Sequence, residues 1–147
     1  MTRVNWWLIM GTISIISLCC GCGPSYLPSQ SVTKRDLVGS YYVRYEPYRG
    51  RYLGHETLTL RSNGTYQQIF VTSCGRVSKN TGTWRLEQDY NEPNLWLEHA
   101  GQYLNEWHDQ LATHPQYEGM SAPVNRRGNR IWITVDDDMD IYYQKKK

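Results

Sequence analysis

The pair Asn63-Gly64 separates two segments in which apolar and polar side chains alternate. It constrains this chain more than any other local feature. His55 to Arg61 puts Leu58 and Leu60 on one face and Thr57, Thr59 and Arg61 on the other, and Thr65 to Thr72 provides the return. Period-two alternation marks a strand with one buried face. Asn and Gly both tolerate the positive φ of a type I′ turn, whose twist suits antiparallel strands, so the stretch predicts a β-hairpin.

The chain from residue 37 onward follows the same pattern. Leu37, Gly39, Tyr41, Val43 and Tyr45 share one face of a first strand. Thr81 to Glu87 pairs Trp84 with Leu86, and Asn94 to His99 alternates Leu95 and Leu97 against Trp96. Arg130 to Val135, an acidic turn and Ile141-Tyr142-Tyr143 form a last hairpin. Twelve Tyr and six Trp stand against one Phe, a bias towards rings that favour strands and carry a polar tip. Six or seven short strands joined by turn residues predict an all-β fold, a small antiparallel meander closing into a β-barrel. A long insertion, Ala100 to Asn129, precedes the last hairpin; Leu104, Trp107 and Leu111 at i, i+3 and i+7 allow one or two helical turns within it. Loops of that length are usually functional or disordered.

The first 22 residues are of another kind. Behind Arg3, Trp6 to Cys22 runs 17 residues without a charge. A short apolar run after a weakly positive start reads as an export signal, although this length also touches the lower limit for a membrane span. Its end, Leu18-Cys19-Cys20-Gly21-Cys22, resembles a bacterial lipobox, with Gly21 as the small residue before the cut and Cys22 as the lipidated cysteine. Cys19 stands where the lipobox normally has Leu, and Cys20 is the alternative acceptor. An uncleaved anchor and ordinary secretion are the other readings. The lipobox reading gives a signal peptide over 1–21, a lipidated Cys22 with a flexible Pro/Ser/Gly tether over 22–36, and a barrel domain over 37–147. With the signal removed, net charge falls from +2 to +1 and Cys74 is the only free thiol. Gly23 is not the aspartate that retains enteric lipoproteins in the inner membrane, so the resemblance implies the periplasmic face of an outer membrane.

Leu37-Val38-Gly39-Ser40-Tyr41, Glu56-Thr57-Leu58-Thr59-Leu60 before Asn63-Gly64-Thr65-Tyr66, Gly82-Thr83-Trp84 and the closing Trp132-Ile133 to Tyr142-Tyr143 follow one layout. It is similar to the lipocalin-like small β-barrel lipoproteins of bacteria. The resemblance implies fold and anchoring and transfers no catalytic residue. Tyr41 stands where true lipocalins carry the Trp of their Gly-x-Trp start.

Near-balanced charge, 16 Lys and Arg against 14 Asp and Glu, excludes the strong basic field of a dedicated nucleic-acid binder and the aromatic-poor profile of disorder. His99, Glu106, His108, Asp109 and His114 are metal-ligand types within sixteen residues, but their spacing matches no ligand signature. Asp136-x-Asp138-x-Asp140 opens like a calcium loop, yet Ile141 stands where that loop needs Gly and Lys147 where it needs Glu, so an acidic turn is the expectation. Cys74, beside Arg76, reads as a thiol in a connecting loop. Arg44, Arg49 and Arg51 interleave with Tyr42, Tyr45, Tyr48 and Tyr52, which reads mainly as surface cation–π pairing.

The expected function is a lipid-anchored, non-catalytic binding module of the cell envelope that needs no cofactor. Its partners are the membrane, through the N-terminal lipid, and an envelope protein, a glycan or a small apolar ligand; nucleic acid is not among them. Tyr45, Tyr48, Arg49, Arg51, Tyr52, Trp107, His108 and His114 are the candidate contact residues. A metal-dependent or hydrolytic envelope enzyme using the histidines of the insertion is the alternative.

Overall fold

In a computed structural model, residues 31–46, 50–89, 92–105, 110–136, 138 and 140–146 are described. Eight strands form a closed antiparallel barrel in sequence order. They are β1 (Gly39–Tyr45), β2 (Gly54–Leu60), β3 (Thr65–Thr72), β4 (Val77–Asp89), β5 (Glu92–Leu104), β6 (Leu111–Arg127), β7 (Arg130–Asp136) and β8 (Ile141–Lys145). A single helical turn, α1 (Lys34–Leu37), precedes them. The expected meander is therefore present, and β8 returns to β1 to close it. The segment expected to be a signal, Cys19, Cys20, Cys22 and the expected tether up to residue 30 lie outside the described residues.

Alternation sets the interior as the sequence indicates. Tyr41, Val43, Tyr45, Leu58 and Leu60 are buried, as are Leu95, Leu97, Ile131 and Ile133. Leu37, Tyr41 and Tyr66 are fully buried and fill one end, the base, where the β2–β3, β4–β5 and β6–β7 connections lie. The other four connections form the opposite end, the mouth.

Three details differ from expectation. The β2–β3 hairpin is not a two-residue type I′ turn. Gly64 N–H bonds to the Arg61 carbonyl and Arg61 N–H to the Thr65 carbonyl, giving a three-residue loop in which Gly64 alone takes a positive φ, +83°. That is a type I turn with a glycine bulge, the next commonest hairpin connection. Second, 100–129 is no insertion; it holds the upper part of β5, the whole of β6 and the β6–β7 turn. Leu104 and Leu111, expected on a helical turn, face each other across the β5–β6 ladder. Third, order begins before residue 37. Val32 is buried, Thr33 caps α1 with a reciprocal Thr33–Asp36 capping box, and the Tyr41 hydroxyl donates to the Leu37 carbonyl at 2.9 Å. A helical turn docked on the base thus takes the last residues assigned to the tether.

One seam is closed by side chains. The β4–β5 ladder runs up only to Trp84 and Leu97. Above it β5 bulges, His99 taking a φ of 55°, and draws away from β4. The Tyr66 hydroxyl donates to the Glu98 carbonyl at 2.8 Å, and Asn80 Nδ2 to the His99 carbonyl. Gln68 bridges fully: its Nε2 donates to the Gly101 carbonyl at 2.9 Å, and its Oε1 accepts the Gly101 N–H at 2.8 Å. Gln68→Leu orphans both Gly101 groups and a donor to Glu56, so it is expected to lower stability by about 3–5 kcal/mol. The outward neighbour change Gln67→Leu stays within about 0.5 kcal/mol. Urea unfolding of both variants checks this.

Candidate functional site

The same alternation that buries Leu58 and Leu60 also turns Glu56 inward, since it shares their parity on β2. Glu56 is only 3% exposed. Gln68 Nε2 donates to its Oε1 at 2.6 Å, the Tyr143 hydroxyl donates to the same oxygen, and the Tyr45 hydroxyl donates to Oε2 at 3.2 Å. β1, β2, β3 and β8 each contribute one member of this cluster. Among the described residues no cationic side chain joins it.

Burial pushes the Glu56 carboxyl up to about 7, against the opposing pull of its bonds from Tyr143, Gln68 and Tyr45. A carboxyl that titrates near neutrality inside a protein is a mark of functional sites, though structural networks show it as well. Burial, followed by the neighbouring Glu56 charge, pushes the Tyr45 and Tyr143 hydroxyls well above their usual range, so both remain protonated donors.

Above the cluster the barrel is not filled. A recess of about 270 Å³ opens at the mouth, lined by Tyr45, Glu56, Gln68, Tyr103 and Tyr143 with the apolar Leu104, Met120 and Val135. The Tyr103 ring stacks on Phe70 at 4.9 Å. It lies so close over Gly101 that a Cβ there would sit 2.6 Å from the ring. Tyr103 is 5% exposed, and its hydroxyl has no hydrogen-bond partner. Buried hydroxyls are nearly always satisfied, which sets this one apart from the other core tyrosines.

The candidate contact residues fall in different places. Tyr45 is not on the surface; it points into the barrel and bonds Glu56. Tyr52 lies on the rim, its ring under the Arg44 guanidinium at 4.5 Å and its hydroxyl on His55 Nδ1 at 2.5 Å, while Arg51 is exposed beside it. The expected surface cation–π pairing is therefore present through Arg44. His114 is exposed on β6 rather than on a loop. Tyr48, Arg49, Glu106, Trp107, His108 and Asp109 lie outside the described residues. His99 sits on the β5 bulge, and His114 lies beyond Gln116, which pairs with Gln102, so the ladder separates the two histidines. Among the described residues no three His, Cys, Asp or Glu side chains gather as a metal site. Asp140, at a φ of 55°, accepts from the Tyr142 hydroxyl at 2.9 Å in the acidic turn. Cys74 is exposed on the β3–β4 turn, where bonds with Thr72 and then Arg76 lower its thiol to about 7.

Glu56, Tyr143, Gln68 and Tyr103 are absent from the candidates read from sequence. A legible signal for Glu56 existed: it is a carboxylate at an inward position of an alternating strand.

A second concavity, about 750 Å³, runs along the outer wall near the base, with Arg127, Arg130, Lys145 and Lys146 around Trp132 and Tyr142. No helix among the described residues is long and apolar enough to cross a membrane. No family model, curated protein or solved structure matches the chain.

Between its ordinary value of 4.5 and about 7, folded Glu56 keeps a proton that the unfolded chain has released. The resulting stability is complete below 4.5 and is lost as pH rises through 7, by roughly 3 kcal/mol. Urea unfolding from pH 4.5 to 8 should show this decline in the parent and none of it in Glu56→Gln. An equal slope in both would remove Glu56 as its source.

Proposed function

We propose that the chain is a lipid-anchored, non-catalytic module of the bacterial cell envelope, a lipocalin-like barrel that binds a small ligand at its mouth. One observation carries the ligand reading: a mouth recess of about 270 Å³ lined by apolar side chains and a few convergent polar ones, Glu56, Gln68, Tyr45 and Tyr143. Eight-stranded barrels can hold one small ligand. A largely apolar recess with a few convergent polar groups is the usual form of a binding site. This recess is slightly below the usual drug-sized range of about 300–1,000 Å³, which favours a single-ring ligand.

The anchoring reading rests on the Gly21-Cys22 junction and agrees with the placement of charge. The described residues begin at the base, where α1 carries Lys34 and Arg35 and where Arg127, Arg130, Lys145 and Lys146 line the outer concavity. Cations at that end suit anionic headgroups, and the mouth then faces away from the membrane. By the same reading Gly23 directs the protein to the periplasmic face of an outer membrane. The envelope-enzyme alternative draws on no observation, because its two described histidines lie apart.

Two measurements test these halves separately. Metabolic labelling with radioactive palmitate should mark the parent chain and not Cys22→Ala; retained label would move the acceptor to Cys20 or Cys19, and an unlabelled parent would end the anchoring claim. The neutral probe 2-phenylethanol should bind the full chain in zwitterionic nanodiscs and lose at least tenfold in affinity in Met120→Trp, which fills the recess. Titration calorimetry reads both, and no heat with the parent would end the ligand reading.

A further inference from the structure

We propose that the mouth recess takes a small organic cation, a protonated amine on a ring or short apolar body, with Glu56 as its counter-ion. This rests on the reading of the recess as a ligand site and adds the chemistry of what enters it.

The first reason is an unbalanced charge. Glu56 lines the recess and is buried, and among the described residues every group that faces it is neutral. Tyr45 faces it from β1, Gln68 from β3 and Tyr143 from β8, with Tyr103 of β5 across the recess. A glutamine here would accept the same tyrosine bonds without the cost of burying a charge. The carboxylate is worth its cost if a cation arrives to meet it. Its two oxygens are also unequally occupied. Oε1 takes two donors, whereas Oε2 takes only the Tyr45 hydroxyl, at 3.2 Å. A carboxylate offers about four acceptor directions, and the three donors leave one of them open.

The walls supply the second reason. Tyr45, Tyr103 and Tyr143 line the recess and Phe70 lies behind, with centroids 5.9 Å from Tyr45 and 4.9 Å from Tyr103. Aromatic faces attract cations, more strongly where water is excluded. Leu104, Met120 and Val135 suit an apolar body. An anionic ligand would instead meet Glu56 with no cation to compensate it.

Three probes of one shape separate the possibilities: 2-phenylethylammonium, 2-phenylethanol and phenylacetate, titrated into the full chain in zwitterionic nanodiscs with empty discs subtracted. At pH 8 the ammonium should bind at least tenfold tighter than the alcohol, and phenylacetate more weakly than either. At pH 5 Glu56 is protonated while the amine keeps its charge, so the ammonium preference should shrink about tenfold. Glu56→Gln should remove the preference at pH 8 and leave alcohol binding intact, which also shows that the variant is folded. Equal binding of alcohol and ammonium, or an unchanged preference in Glu56→Gln, overturns the amine assignment while the ligand site stands. No binding of any probe to the parent overturns both.

Discussion

Gln68 is the contact on which the upper half of this barrel depends. Its amide has two donor hydrogens and an acceptor oxygen, and the structure uses all of them. Nε2 bonds Glu56 and the Gly101 carbonyl, and Oε1 takes the Gly101 N–H together with Asn80 Nδ2 at 3.4 Å. The pair with Gly101 imitates one rung of a β-ladder where β4 and β5 have parted. Without it two buried backbone groups would face an apolar interior, at about 1–3 kcal/mol each. One side chain thus closes the seam and fixes the Glu56 carboxylate.

The same parting explains why the barrel is packed at one end and hollow at the other. Near the base the strands are fully laddered, and Tyr41, Tyr66 and several leucines fill the interior. Towards the mouth β5 follows its own path, and Tyr103 lies flat over Gly101 against Phe70 instead of crossing the lumen. Any side chain at Gly101 would lift that ring. The recess is therefore a consequence of one glycine and one bulge, each held by hydrogen bonds from neighbouring strands.

Much of this was legible in the residues. Alternation placed Tyr41, Val43, Tyr45, Leu58, Leu60, Trp84, Leu95 and Leu97 correctly inward, and Asn63-Gly64 located the β2–β3 hairpin, although the preference for Asn-Gly did not distinguish a two-residue turn from a three-residue one. The β6 strand was not legible for a physical reason. Its first half pairs with β5 alone, because β7 joins only from Val124 onward. That stretch is exposed on both faces, so it has no apolar alternation to read, and Pro115 is tolerated where an edge needs no ladder bond. Glu56 was legible in principle. Its parity with Leu58 and Leu60 assigns it inward, but the rule that charges lie outside hides it unless parity is followed to the end of the strand. Tyr103 lies beyond the β5 bulge, and a bulge interrupts the parity on which such readings depend.

The two ends of the barrel hold their charges in different ways. The base gathers Lys and Arg around a capped helical turn, where Arg126 pairs with Asp36 at 3.3 Å and Lys145 donates to the Asp36 carbonyl. Both cations are partly buried there, Arg126 being 28% exposed, and Asp36 offsets their desolvation. The mouth holds a single buried carboxylate, satisfied by three neutral donors and partnered by no charge among the described residues. Its burial works against folding at neutral pH, and the hydrogen bonds only reduce that penalty. A barrel of this size could close its mouth with an apolar layer and be more stable. Retaining the carboxylate beside an open recess is a stability cost that the proposed binding role would account for.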